Sequence, residues 1–215
     1  MVRAAARETP MSPAVVSALR KLGEAGDCDL HILSDANSVF ISEILVKHGL
    51  APCIDGIHTN PASFCDGALR VRPFHDEPHG CALCPSNLCK GAVMEQLLMR
   101  GQYARVVYVG DGGNDFCPSC RTGPWDTVLA RSAYPDGRKA PLLRKLRESR
   151  SLIVDEGRMP PAQKLSWRPH DCDTSGAYTG QDCPSLVYVW HTPEQLAQAL
   201  LAVTSASSGG ASEKP

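Results

Sequence analysis

The sequence predicts an α/β protein in which a parallel sheet is flanked by helices. Strand-like and helix-like segments alternate through most of the chain, the pattern that builds parallel sheets through crossover helices. The helical segments stop at Gly23, Gly49 and Gly101, as helices do where a C-cap needs no Cβ. The short apolar run Val106-Val107-Tyr108-Val109 empties into Gly110-Asp111-Gly112-Gly113-Asn114-Asp115. That reads as a buried parallel strand with carboxylates at its C-terminal end, where open α/β sheets bind ligands.

The elements follow in order. Ser12-Pro13 opens a helix with a hydroxyl N-cap and proline at the first position, and Val15, Val16, Leu19 and Leu22 form its apolar stripe up to Gly23. Leu30 to Leu33 makes a short strand running into Ser34-Asp35-Ala36-Asn37. Ser38 caps a helix with Phe40, Ile41, Ile44 and Leu45 on its apolar side, closed by Gly49. Ile54 to Thr59 is a further strand, and Cys65-Asp66-Gly67-Ala68 suits a type I′ hairpin turn, followed by a weak alternation from Leu69 to Phe74. Cys89 to Arg100 reads as a helix with Val93, Leu97 and Leu98 inward. Thr127 to Ala130 forms a short edge strand, and Leu142, Leu143 and Leu146 share one helix face opposite a solvated basic face of Arg144, Lys145 and Arg147. Residues 155–185 show no period and read as an irregular insertion. Leu186 to Trp190 is a strand, and Thr192-Pro193-Glu194 starts a last helix carrying Leu196, Leu200 and Leu201. Residues 1–204 then form one core, with 205–215 a disordered tail.

Composition narrows the functional classes. A chain of 215 residues with 43% hydrophobic and 21% charged residues fits one soluble α/β domain. A net charge of −1 gives no electrostatic reason to expect nucleic acid or an anionic membrane as partner, and no apolar stretch has transmembrane length. The first residues lack a secretory apolar core, so a cytoplasmic protein with mostly reduced thiols is expected despite its 10 cysteines. One cluster stands apart: His75, His79, Cys81, Cys84 and Cys89 carry ligand types and spacings that suit a structural Zn²⁺, against a reading as local loop packing. Cys117-Pro118-Ser119-Cys120 has the spacing of a redox dithiol without a thioredoxin context.

Asp111 and Asp115 suit a hard, oxygen-seeking cation such as Mg²⁺ that shares phosphate oxygens with a substrate, while an acidic turn is the plainer reading of the same residues. Further segments extend this pattern: Ile32-Leu33-Ser34-Asp35-Ala36-Asn37, Arg72-Pro73-Phe74-His75, Cys84-Pro85-Ser86-Asn87-Leu88-Cys89-Lys90 and Tyr108-Val109-Gly110-Asp111-Gly112-Gly113-Asn114-Asp115-Phe116-Cys117-Pro118. Together they resemble the haloacid dehalogenase (HAD) superfamily of phosphatases, and within it the phosphoethanolamine/phosphocholine and pyridoxal-phosphate phosphatase group.

The resemblance implies a HAD-like, Rossmannoid parallel sheet and a Mg²⁺-dependent phosphatase of small phosphomonoesters, with a small phosphorylated metabolite as its partner. Ser34 would hydrogen-bond a phosphoryl oxygen, and Lys90 would offset charge on the phosphoryl group. Asp111 would bind Mg²⁺, while Asp115 would hold a metal-bound water or Lys90. Gly112, Gly113 and Asn114 would support that loop. Asp35 and Asn37 would recognise the leaving group, although Asp35 serves equally well as a helix cap.

One part of the family pattern is absent. An Asp-x-Asp pair at a strand end supplies the nucleophile and general acid in such enzymes. Asp27-Cys28-Asp29 precedes its strand instead of ending one, and Asp171-Cys172-Asp173 lies in the irregular region. The expectation is therefore a chain lacking the central N-terminal strand and most of the cap, and inactive as written. The alternatives are a non-catalytic binding or regulatory HAD-like protein, or a zinc-binding module.

Overall fold

The structure, a computed structural model, describes residues 2–101, 103–149, 151, 153–154 and 185–205. In chain order the helices are α1 (Val2–Arg7), α2 (Pro13–Ala25), α3 (Ser38–His48), α4 (Lys90–Arg100), α5 (Phe116–Ser119), α6 (Pro141–Glu148) and α7 (Pro193–Ser205). The strands are β1 (His31–Leu33), β2 (Gly56–His58), β3 (Ala62–Cys65), β4 (Ala68–Val71), β5 (Val107–Gly110), β6 (Thr127–Arg131), β7 (Ile153–Val154) and β8 (Leu186–Trp190). The expected insertion over 155–185 and the tail beyond Ser205 lie outside the described residues, apart from Ser185. Ser205 itself ends α7.

The mixed α/β class with parallel sheets holds, but the parallel strands form two ladders. β5, β6, β8 and β7 pair in that order, all parallel, with Val128 opposite Tyr108 and Val187. β1 and β2 form a separate parallel pair. Among the described residues β1 bonds only to β2, and β5 only to β6, so each has one edge without a ladder partner.

Side-chain alternation explains the layering of the larger sheet. Val128 and Ala130 of β6 join Tyr108, Val187 and Val189 on one face, packed with Met94 of α4, Phe116 of α5 and Leu142 and Leu146 of α6. Leu129, Tyr188 and Trp190 face the other way, onto Leu22 of α2 and Leu196 and Leu200 of α7. β6 is thus a central strand, not the expected edge. Val128, Leu129 and Ala130 are fully buried, and burying each of the larger two stabilises the fold by about 1.5–3 kcal/mol.

One turn carries the expected chemistry and two helix ends do not. Asp66 and Gly67 have φ of 51° and 74°, the two left-handed residues of a type I′ turn joining β3 to β4. α2 does not stop at Gly23; it continues to Ala25 and ends at Gly26, whose φ is 70°. Gly23 is small because Cys53 packs on it: a Cβ there would lie 2.6 Å from Cys53 Cβ. Asn37, not Ser38, caps α3, its Oδ1 accepting from the Phe40 N–H at 3.0 Å.

Candidate active site

The rim is built where β1 and β5 end. Gly110 closes β5 without a side chain because Asp115 folds back over it; a Cβ there would meet Asp115 Cβ at 2.8 Å. The chain then makes a 3-10 turn over Gly113–Asp115, which aims the Asp115 carboxylate back at the loop that carries it. Asp115 Oδ2 accepts the backbone N–H groups of Asp111 (2.9 Å) and Gly112 (2.8 Å). Its Oδ1 accepts from Lys90 Nζ at 2.6 Å and from the Tyr108 hydroxyl at 2.8 Å.

This pair is buried: Lys90 is 6% and Asp115 4% exposed. Burial pushes the Asp115 carboxyl upward, but the Lys90 charge and the hydrogen bonds from Lys90, Tyr108 and Asp111 outweigh it and hold the group below its ordinary range. Burial, followed by the neighbouring Asp115 charge, drives the Tyr108 phenol well above its own. Lys90 is the first residue of α4, at the helix end whose dipole favours anions. One of its three ammonium donors meets Asp115, which leaves donors for a second anion.

Asp111 is placed differently. Its side chain is 42% exposed, and the nearest cation, Arg131 Nη1, stands 3.9 Å away. The Asp111 carbonyl accepts the Leu142 N–H at 3.1 Å, fixing the residue against the start of α6. The two aspartates therefore divide the work: Asp115 is engaged with Lys90 and the loop, and Asp111 presents an accessible oxygen donor of the kind Mg²⁺ selects.

The β1 rim joins through one bridge. Asn114 Nδ2 donates to Asp35 Oδ2 at 2.9 Å, so the loop after β5 reaches the loop after β1. Gly112 permits this fold of the Asn114 side chain, since a Cβ there would lie 2.6 Å from Asn114 Oδ1. Ser34 Oγ accepts the Ala36 N–H at 3.2 Å, which leaves its own hydroxyl hydrogen to donate elsewhere. Asn37 is buried with its Oδ1 turned to the α3 cap. The Asp35 side chain accepts from Asn114 and caps nothing. Asn60 organises this loop from below, donating to the Asp35 and Ala36 carbonyls at 2.8 and 3.0 Å.

Several contributors were not read from the sequence. Lys145, taken as part of a solvated face, donates to the Gly113 carbonyl at 2.9 Å. Arg131 stands beside Asp111, its guanidinium over the rings of Tyr134 and Trp190 at 5.0 and 5.1 Å from their centroids. Tyr108 had a signal in strand alternation, which puts it on the same face as Gly110, under the returning Asp115.

The cysteine cluster is revised too. Sulfurs of Cys81, Cys84, Cys89 and Cys117 lie within 4.8 Å of one another, and the histidines are not in the set. Both ring nitrogens of His79 meet backbone: Nε2 lies 3.0 Å from the Pro85 carbonyl, and Nδ1 accepts the Cys81 N–H at 3.1 Å. His75 Nε2 is buried without a hydrogen-bond partner among the described residues, its ring edge-on to Phe74 and His79.

Comparison with known proteins places a chain with this parallel sheet and rim in the HAD-like phosphatase group. Residues 1–152 match the model of the family described as "Putative Phosphatase", and the chain belongs to that family. It is 42% identical over 142 residues to "Thiamine phosphate phosphatase-like protein" of Arabidopsis thaliana, covering 62% of this chain and 58% of that one. It is 40% identical over 134 residues to "Pyridoxal phosphate phosphatase PHOSPHO2" of Bos taurus (58% and 54%). With "Inorganic pyrophosphatase 2" of Arabidopsis thaliana it shares 36% identity over 137 residues (60% and 49%). The chain thus spans about half the length of the curated relatives it matches. No solved structure matches it. Among the described residues, no helix is long and apolar enough to cross a membrane.

Proposed function

We propose that this rim binds the phosphoryl group of a small phosphomonoester together with Mg²⁺, as part of a phosphatase working through an aspartyl-phosphate. The observation that carries the reading is the buried Lys90–Asp115 pair, 2.6 Å apart, set beside the accessible Asp111. Asp115, itself fixed by the Tyr108 hydroxyl, holds the Lys90 ammonium in place, so its charge faces the phosphoryl group without reorganising during the reaction. Ser34 donates its free hydroxyl hydrogen to a phosphoryl oxygen. Asp35 borders the leaving group, with Asn37 supporting its loop from the α3 cap, and the Asp35 carboxylate suits an ammonium-bearing substrate such as phosphoethanolamine or phosphocholine. Pyridoxal phosphate belongs to the same class of small phosphomonoesters, and the name of one relative supports it.

The oxygen donors fit a hard cation: Asp111 would hold Mg²⁺ directly, and Asp115 supports the site through Lys90. Bound there, Mg²⁺ would supply charge stabilisation to the phosphoryl oxygens. Turnover also requires a nucleophilic carboxylate and a general acid. Among the described residues Asp27 and Asp29 do not serve, since they stand before β1 and Asp29 accepts from the Tyr103 hydroxyl at 2.9 Å. The test is phosphate release from phosphoethanolamine, phosphocholine and pyridoxal phosphate by protein isolated from its source. Release from at least one, abolished by EDTA and restored by Mg²⁺, is expected; release unaffected by EDTA would overturn the reading.

A further inference from the structure

The four sulfurs of Cys81, Cys84, Cys89 and Cys117 stand in a metal-sized group that the phosphoryl chemistry does not use. We propose that these four side chains bind one Zn²⁺ as a structural tetrathiolate centre, which fastens the start of α4 to the loop and helix after β5.

Size is the first argument. Zinc–sulfur bonds of about 2.3 Å in a tetrahedron put the sulfurs about 3.8 Å apart. Cys81 Sγ and Cys117 Sγ are 3.7 Å apart, and every pair in the group lies within 4.8 Å. A disulfide needs about 2.05 Å, and all four cysteines are free. The first two ligands also have the Cys-x-x-Cys spacing of structural zinc sites.

The surroundings are the second argument. Thiolates on a zinc ion are usually stabilised by nearby N–H donors that set their orientation. Here the Ala92 N–H donates to Cys89 Sγ at 3.4 Å. The Arg121 guanidinium, ion-paired with Glu95, also lies beside Cys117 and brings positive charge near a centre that would carry a net charge of about −2 with four thiolates. Gly91 lets α4 come this close: a Cβ there would stand 2.4 Å from Cys117 Sγ. Cys89 and Cys117 are 3% and 1% exposed, while Cys81 and Cys84 are half-buried, so the group sits under the surface with access for an ion.

The position gives the centre its consequence. Cys89 directly precedes Lys90, and Cys117 follows Asp115 by two residues. An ion bridging the two cysteines ties together the segments that carry the buried ion pair. Loading exchanges up to four thiol protons for one Zn²⁺, with no change of oxidation state. The proposal does not depend on the phosphatase reading.

The experiment is metal analysis of the full chain purified without chelators, followed by titration with a mercurial reagent. The expected result is one zinc per chain, released in proportion as four thiols are blocked, and lost in Cys117→Ser. Cys65→Ser, at an exposed thiol, should keep its zinc and serves as the folding control. Because Cys117→Ser can fail to fold, Co²⁺ is also added to the metal-free wild-type chain. The visible spectrum of tetrahedral thiolate coordination is expected, with a lower melting temperature for the metal-free form. Zinc below stoichiometry together with no such cobalt spectrum would overturn the proposal. So would a disulfide joining any two of the four in the native protein, mapped by mass spectrometry of unreduced peptides.

Discussion

Replacing Lys90 with methionine tests the buried pair that organises the rim. The substitution keeps most of the side-chain volume and removes the charge, leaving Asp115 4% exposed without its cation. Breaking a buried ion pair by removing one partner costs about 3–5 kcal/mol. The lower end applies here, because Tyr108 and the backbone N–H groups of Asp111 and Gly112 still donate to the carboxylate. A loss of about 3 kcal/mol in urea unfolding at pH 7 is expected, or roughly 6–12 °C in Tm for a domain of this size. The pH dependence carries the sign. In the wild-type chain Asp115 titrates below its unfolded value of about 3.9, so the pair's contribution is complete above about pH 4 and is lost as pH falls through the lowered pKa. Without Lys90, burial still opposes the charged carboxylate while its cation is gone, so the variant's deficit should shrink as pH is lowered from about 7. Adding Asp115→Asn should recover part of it at every pH. A loss under about 1 kcal/mol that does not vary with pH would refute the reasoning.

Asp111→Asn should abolish Mg²⁺-dependent binding of inorganic phosphate, measured calorimetrically, while Tm stays within about 2 °C, because the side chain is 42% exposed and its nearest cation is 3.9 Å away. Gly110→Ala should destabilise the chain by about 1–3 kcal/mol in urea unfolding, since the new methyl would lie 2.8 Å from Asp115 Cβ and 2.9 Å from Leu142 Cδ2. Asn114→Ala should leave urea stability nearly unchanged and weaken phosphate binding in the same calorimetric assay, because it cuts the 2.9 Å bridge to Asp35.

What the sequence disclosed depended on how local the cause was. The turn at Asp66-Gly67 was readable because two left-handed residues at a hairpin tip are fixed by the dipeptide itself. The loop Gly110–Asp115 was readable because glycines and carboxylates at a strand end have few other uses. The place of β6 was not: Thr127–Arg131 is short, and its central position depends on β8, some 60 residues later, pairing on its far side. Gly23 looked like a helix stop because nothing local reveals that Cys53 packs on it. The same limit hid Cys117 from the cysteine cluster and Lys145 from the Gly113 carbonyl, since both contacts are made by the tertiary fold. His79 misled in the opposite way: its spacing fits a ligand, but both ring nitrogens are engaged with backbone groups.

The most direct test of the rim is calorimetric titration of Mg²⁺ into the chain in the presence and absence of inorganic phosphate, with Asp111→Asn in parallel. Phosphate binding that requires Mg²⁺, with both signals absent in a folded Asp111→Asn chain, is the predicted result. Equal Mg²⁺ heats in wild type and variant, or phosphate binding indifferent to Mg²⁺, would contradict the assignment of Asp111 and Lys90 to one phosphoryl site.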